Sequence, residues 1–286
     1  MRQNQPMTIS ISGASGFIGR HLMKSLAQAG HSPRALSRHA PPAESLREAD
    51  AIIHLAGEPV AQRWTAAAKQ RILDSRVVGT RNLVEALGRL TRRPETLICA
   101  SAIGYYGSRG DEVLTESSAP GSGFLPEVCV AWEREAQAAE AFGIRVVRVR
   151  TGVVLDANGG ALVRMLPPFR MGLGGRLGSG RQWMSWIHLE DLAALFQFAV
   201  ESQVRGPLNA VAPNPVTNSD FTRELAHALR RPAVFPVPEF ALKMLFGEMA
   251  DVLLASQRVA PAAAEAAGFR FRFPQLAPAL ESLLRR

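Results

Sequence analysis

Cysteine is nearly absent from this chain of 286 residues: Cys99 and Cys129 are the only two. That excludes a disulfide framework and offers no metal-ligand spacing, so both are expected as reduced thiols. Tyrosine occurs only as the neighbours Tyr105 and Tyr106, and lysine only as Lys24, Lys69 and Lys243, so no Tyr-x-x-x-Lys pair exists anywhere. Long apolar runs are missing too. No stretch approaches the roughly 18 to 20 uninterrupted apolar residues of a membrane span, and the first six residues lack the apolar run of a signal peptide. The chain is therefore expected in the cytoplasm, away from membranes, with residues 1–6 as a loose tail or an upstream start before Met7. The formal net charge is +8. Its arginines are scattered along helices with no long basic block or aromatic-interleaved stripe, which argues against nucleic acid and for a solvated basic surface. An anionic cofactor and an anionic substrate would use part of that charge.

What is present is a β-α alternation in a chain that is 47% apolar, enough for one large core. Residues 8–12 form a β-rich run ending at glycine, and residues 17–29 carry apolar side chains at helical spacing until Gly30 stops them. Further strands are expected at 33–38, 51–55, 95–101 and 144–150, with long helices at 65–90 and 125–142. This order predicts an α/β fold, a Rossmann-type doubly wound parallel sheet with right-handed crossovers. After Thr151 the connections turn glycine-rich, at Gly159-Gly160 and across residues 172–180, and this half should face the substrate. Proline-punctuated short helices in the last fifty residues are expected to pack as a small substrate-side cap. The division expected is a dinucleotide-binding domain at 7–235 with interleaved substrate-side segments, and a small helical domain at 236–286.

The turn Gly13-Ala14-Ser15-Gly16-Phe17-Ile18-Gly19 follows a strand and opens a helix. A pyrophosphate there needs residues without Cβ, because the backbone must bend tightly, approach the phosphates and let helix and strand lie close. Gly13, Gly16 and Gly19 meet those three needs, with Ser15, Phe17 and Ile18 between them. At the end of the second strand, where an NAD-selective site places an acid on the ribose 2′-hydroxyl, the chain has Ser37-Arg38. A guanidinium can fork onto a 2′-phosphate, which favours NADP(H), although Arg38 could also simply end a strand in solvent. Ligands of doubly wound sheets lie across the carboxyl ends of the strands, so Leu55-Ala56-Gly57 and Ala100-Ser101 should line the crevice.

The glycine turn, the strand Asp50-Ala-Ile-Ile-His-Leu-Ala-Gly57, Ser101-Ala-Ile-Gly-Tyr-Tyr-Gly107 and the segment from Gly178 to Asp191 together resemble the extended short-chain dehydrogenase/reductases. Trp132-Glu133, Arg150 to Leu155, Pro168 to Gly175 and the last fifty residues are similar to the atypical NAD-dependent epimerase/dehydratase-like branch with a C-terminal domain of unknown function. That branch is also called SulA-like or nucleoside-diphosphate-sugar epimerase-like. The resemblance implies cofactor contacts at Ser37-Arg38, Leu55-Ala56, Arg76 and Val154. Arg76 stands where the family commonly has Asn-Val-x-Gly-Thr, here Arg76-Val77-Val78-Gly79-Thr80, and would pair with a phosphate or lie solvated on its helix.

Hydride transfer at a carbinol needs a group to take the hydroxyl proton, and the family uses a serine with Tyr-x-x-x-Lys. Here those helical positions fall on or beside Cys129 and Glu133, and the serine falls on Ser101 or, one residue on, Ala102. Ser101, Tyr105, Tyr106 and Cys129 are the candidate proton-handling groups, with packing as the plainer reading of Cys129. A neighbouring glutamate would raise its pKa, opposite to what lysine does for tyrosine. Arg181, Trp183 and Trp186 suit a ring with an anionic group, unless the indoles only cover the cap. Asp191 reads as a helix cap. Two functions follow: an NADP(H)-dependent oxidoreductase or epimerase-like enzyme on a small, anionic or sugar-like substrate, and a catalytically silent NADP(H) sensor or regulatory protein. The sequence leans to the first, because proton transfer can be rebuilt from other groups. It leaves substrate and oligomeric state open.

Overall fold

A computed structural model describes residues 5–36 and 46–284. Its centre is a six-stranded, wholly parallel sheet built from β1 (Thr8–Ser12), β2 (Ser32–Leu36), β3 (Ala51–His54), β4 (Thr96–Ala102), β6 (Arg145–Thr151) and β10 (Gly206–Ala210), in the order β10-β6-β4-β3-β1-β2. The second strand is described from Ser32 to Leu36, and Ser37 and Arg38 lie outside the described residues. Helices cover both faces. Ile9, Ile11, Ala51, Ile53, Ile98 and Val147 pack on α1 (Phe17–Gln28) and α5 (Leu189–Glu201), while Ile52, Leu97, Cys99 and Val146 pack under α2 (Ala66–Gly88) and α3 (Phe124–Gln137). Successive strand residues point to opposite faces, so one strand serves both cores, as its near-continuous apolar run requires.

The strand order reverses at β1, which pairs in parallel with β2 along one edge and with β3 along the other, so the crossovers after β1 and β3 part there. A crevice must open at their carboxyl ends, because the crossovers leave there on opposite sides. Thr65 caps α2 through its side chain, accepting from the Ala68 amide at 3.2 Å. The helix expected at 125–142 is α3 followed by a 3₁₀ turn, Ala138–Phe142. The sixth strand, β10, was not expected: Pro207 and Asn209 mask its pattern, and it pairs along β6 from Gly206 to Ala210.

Beyond β6 lie α4 (Gly160–Arg170), α6 (Asn218–Leu229), α7 (Glu239–Phe246), α8 (Ala250–Leu254), α9 (Ala262–Ala266) and α10 (Leu276–Leu284). Short pairings join them: β7 (Val153–Asp156) with β9 (Trp186–His188), β8 (Trp183–Met184) with β11 (Val216–Thr217), and β5 (Val113–Leu114) with β12 (Arg258–Val259). The last fifty residues reach into three cores. Ala264 and Phe269 join the α1/α5 layer, Val259 packs with Tyr106 and Val211, and Leu276, Ala279 and Leu280 pack with Trp186 and Phe221.

Candidate functional site

The glycine turn follows β1 as the sequence requires. Gly13 has φ +75°, and a Cβ on it would stand 3.0 Å from the Ala56 amide nitrogen and the Leu55 carbonyl carbon. Glycine is needed because the turns after β1 and β3 touch. A Cβ on Gly19 would come within 2.2 Å of the Gly13 carbonyl oxygen, so this glycine seats the helix against the turn. Gly16 differs: it is exposed, and its Cβ would meet only the Gly13 oxygen, at 3.1 Å. No side chain caps α1 there and its first turn carries no acid, so the free amides and the positive helix end face outward. Arg20 closes over the turn with a bond to the Ser15 carbonyl at 2.7 Å. Phe17 leaves the turn to lie on Gly159 and Gly160, where a Cβ on Gly159 would stand 2.3 Å from its ring. Ile18, Leu55 and Val154 pack together at the margin of the α1/α5 core.

Arg76 is held rather than solvated. Its guanidinium donates to the Glu58 carbonyl at 2.9 Å and the Ile72 carbonyl at 3.2 Å, lies 5.1 Å above the Trp132 ring, and fills the space beside Gly57. Burial lowers its pKa against the pull of nearby Cys129 and Glu58.

At the centre stands a buried ion pair that the sequence reading missed. Arg150 forks onto Glu133, Nε to Oε1 at 2.8 Å and Nη2 to Oε2 at 2.9 Å, with both residues under 5% exposed. Ser101 donates to the same carboxylate at 2.8 Å. Arg150 also donates to the Tyr106 hydroxyl at 2.9 Å, and that hydroxyl donates to Asn209 Oδ1 at 2.7 Å. The Tyr105 ring lies 3.5 Å from the same guanidinium, a cation–π contact. The readable signal was β6 itself, Arg-Val-Val-Arg-Val-Arg-Thr: an arginine at an inward phase of a central strand must be given a carboxylate.

This network bears on several expectations. Ser101 and Tyr106 are buried and bonded within the protein, Tyr106 with no exposure at all. Ala102, the next residue along β4, brings only a methyl. Cys129 is buried beneath Gly104, and burial together with Glu133 pushes its pKa up to about 12. Only Tyr105 among the four candidates remains half-buried.

The substrate-side candidates also divide. Trp186 is fully buried in the α4/α6/α10 core and donates to the Asn214 carbonyl at 3.1 Å, so it lines no crevice. Trp183 is half-buried, donates to Asp111 at 2.7 Å and lies 4.4 Å under the Arg258 guanidinium. Arg181 is exposed on the loop before it. Asp191 is no cap: His188 Nδ1 accepts from the Glu190 amide at 3.1 Å and caps α5, while Asp191 accepts from the amides of Arg272 and Phe273 at 2.8 and 2.9 Å and anchors the tail.

A pyrophosphate turn at the switch point of a doubly wound parallel sheet defines a Rossmann-type nucleotide-binding protein. The comparisons agree and go further. Residues 9–211 match the model of the NAD dependent epimerase/dehydratase family and residues 237–283 match a domain of unknown function, DUF1731. The chain is 42% identical over 290 residues to the epimerase family protein Mb2239 of Mycobacterium bovis, covering 95% of this chain and 96% of that one. It is 40% identical over 298 residues to YfhF of Bacillus subtilis, covering 97% and 98%. The crystal structure of human epimerase family protein SDR39U1 with NADPH superposes with a TM-score of 0.91 at 34% identity, covering 98% of this chain and all of that one. The chain belongs to the NAD dependent epimerase/dehydratase family.

Among the described residues no helix is long and apolar enough to cross a membrane.

Proposed function

We propose that this chain binds NADP(H) and holds it without the proton relay typical of its fold, as a catalytically silent sensor or regulatory protein. The observation that carries this reading is the closed network at the centre. Ser101, Glu133, Arg150, Tyr106 and Asn209 satisfy one another in a buried layer, and each bond would have to break before any of them could exchange a proton with a substrate. The residues present fit the cofactor: Gly16 leaves the cradle open that a larger side chain would fill, and outward amides with no competing acid suit a pyrophosphate. Arg38 supplies the charge for a 2′-phosphate, and the human relative's structure with NADPH supports the choice. When bound, the cofactor supplies hydride chemistry at its nicotinamide. The chain's own groups hold and orient it through the Gly13–Gly19 turn and the Leu55–Gly57 turn that Arg76 braces.

The second reading, an oxidoreductase or epimerase-like enzyme acting on a small anionic or sugar-like substrate, is favoured by Tyr105. Its ring stays half-buried on Arg150 while the other candidates are spent, so Tyr105 is the proton donor that this reading requires. One experiment separates the two. NADPH at a hundredfold excess over its dissociation constant should stabilise the fold by about 2.7 kcal/mol, visible as a raised melting temperature. A screen of sugar nucleotides and small carbonyl compounds should then show no turnover of the bound cofactor. Turnover that Tyr105→Phe slows by about a hundredfold would overturn the sensor reading and establish the enzyme.

A further inference from the structure

Beneath the dinucleotide turn, the α2/α3 face of the sheet carries an unusual row. Strand registers place Ser12 beside His54, His54 beside Cys99, and Cys99 beside Arg148 on four adjacent strands. The row one residue earlier, Ile11, Ile53, Ile98 and Val147, is wholly apolar and faces the other way. Above the polar row lie Thr80 of α2 and Trp132 of α3, both facing the Cys99 sulfur; burial and then Glu133 push the Cys99 pKa up to about 12, against the smaller opposing pull of Thr80 and Trp132. Four buried side-chain atoms of the described residues have no hydrogen-bond partner: His54 Nε2, Thr80 Oγ1, Trp132 Nε1 and Arg148 Nε. All four belong to this one layer.

The chemistry of the four is weighted toward donation, although the Thr80 hydroxyl also accepts. Indole and guanidinium N–H groups only donate. Ser12 Oγ lies 2.6 Å from His54 Nδ1 and receives the Ala56 amide at 3.4 Å. Burial holds the ring neutral, with a pKa of about 4, and in the tautomer in which the Ser12 hydroxyl donates to Nδ1 the imidazole proton lies on Nε2, a further donor. Donors therefore gather in a layer whose own acceptors are the Thr80 hydroxyl and the Cys99 sulfur, and sulfur accepts weakly. Each buried donor left unmade costs about 1 to 3 kcal/mol, and gathering them in one place is stable only where an acceptor joins them.

We propose that the layer between β3, β4, α2 and α3 is an internal water site, in which a bound water joins His54, Trp132 and Thr80 into a continuous hydrogen-bonded chain. The water accepts from His54 Nε2 and Trp132 Nε1 and donates to Thr80 Oγ1 and the Cys99 sulfur. Three orphan groups are thereby satisfied by one molecule, within the two to four partners that buried waters make. Beyond it, Arg148 stands 3.9 Å from Glu133. The chain so completed runs from Ser12, under the pyrophosphate turn, to Trp132, Thr80 and Cys99 beneath α2 and α3. It gives the turn a polar support, independent of whether any substrate reacts there.

The test needs no ligand. In a crystal structure of the full chain refined at about 1.8 Å or better, a water should lie within hydrogen-bond distance of at least two of His54 Nε2, Thr80 Oγ1 and Trp132 Nε1. In solution, the Trp132 indole proton, assigned by Trp132→Phe, should show a cross-relaxation peak to water although the group is buried. His54→Phe fills the space and removes a donor, and should abolish that peak. A dry layer in the crystal, or a Trp132 indole proton with no water peak in the unsubstituted protein, overturns the proposal. So does a water peak that survives unchanged in folded His54→Phe. The unsubstituted protein decides the matter should His54→Phe not fold.

Discussion

Replacing Glu133 by alanine removes the one carboxylate that receives Ser101 and both arms of Arg150, at 2.8, 2.8 and 2.9 Å. The guanidinium left behind is 3% exposed and keeps only the Tyr106 hydroxyl and the Glu116 carbonyl as hydrogen-bond partners, besides the Tyr105 ring. Breaking a buried pair from one side leaves an uncompensated charge and costs about 3 to 5 kcal/mol. In a chain of this size each kcal/mol moves the melting temperature by about 2 to 4 °C, so a fall of roughly 6 to 20 °C is expected. Removing both partners is a different experiment. Glu133→Leu with Arg150→Met leaves no buried charge, and the pair should destabilise by less than Glu133→Ala does alone. Urea denaturation followed by tryptophan fluorescence measures all the terms of the cycle. A loss under about 1 kcal/mol in Glu133→Ala would show that water reaches the pair, and the reasoning that the network is sealed against substrate would fail with it.

The glycine turn offers a paired test: Gly16→Ala should fold with near-unchanged stability and lose NADPH affinity at least tenfold, because its Cβ meets little protein but occupies the cradle. Gly19→Ala should instead destabilise by about 1 to 3 kcal/mol, its Cβ meeting backbone at 2.2 Å; equal effects of the two in thermal melts and titrations would reject this division. His54 should give an acid-sensitive stability. Its pKa falls from 6.5 to about 4 on folding, so stability is full above pH 6.5 and about 3 kcal/mol is lost as pH falls to 4, a slope that a folded His54→Phe should flatten in urea titrations. Arg38→Ala should weaken NADPH by about 1.5 to 3 kcal/mol and leave NADH nearly unchanged, as measured by fluorescence titration; equal weakening would remove the case for NADP(H).

Strands such as β1, β3 and β6 were readable because each is a short run rich in β-branched residues, and helices such as α2 and α1 because a start or stop signal marks them, at Thr65 and Gly30. The glycine turn was readable because backbone approach leaves no alternative residue. What sequence could not show were contacts between distant segments. Glu133 and Arg150 are both polar letters on apolar elements, and only the fold reveals that they meet and that Ser101 and Tyr106 are tied to them. Trp186 shows the same limit: an indole beside an arginine and glycines reads as a ligand platform, while β7 and the tail bury it. β10 escaped notice because proline and asparagine in a strand are tolerated only where the fold supplies partners, here an edge position on β6 and the bond from Asn209 to the Ala260 carbonyl at 2.9 Å.

That bond joins the sixth strand to the tail, and the tail returns elsewhere as well. Gln257 donates to the carbonyls of Ile103 and Gly107 at 2.8 and 3.0 Å, β12 extends β5, and Ala264 and Phe269 close over Leu208 and Ala210. During synthesis the nucleotide turn and five strands leave the ribosome long before these residues do. Until the tail emerges, the nascent chain must carry an uncovered apolar edge at β10 and an unbraced loop at 103–114. A chain interrupted near residue 235 would be a substrate for chaperones and proteases rather than a smaller working protein. Quality control of this protein thereby depends on the segment that follows residue 235.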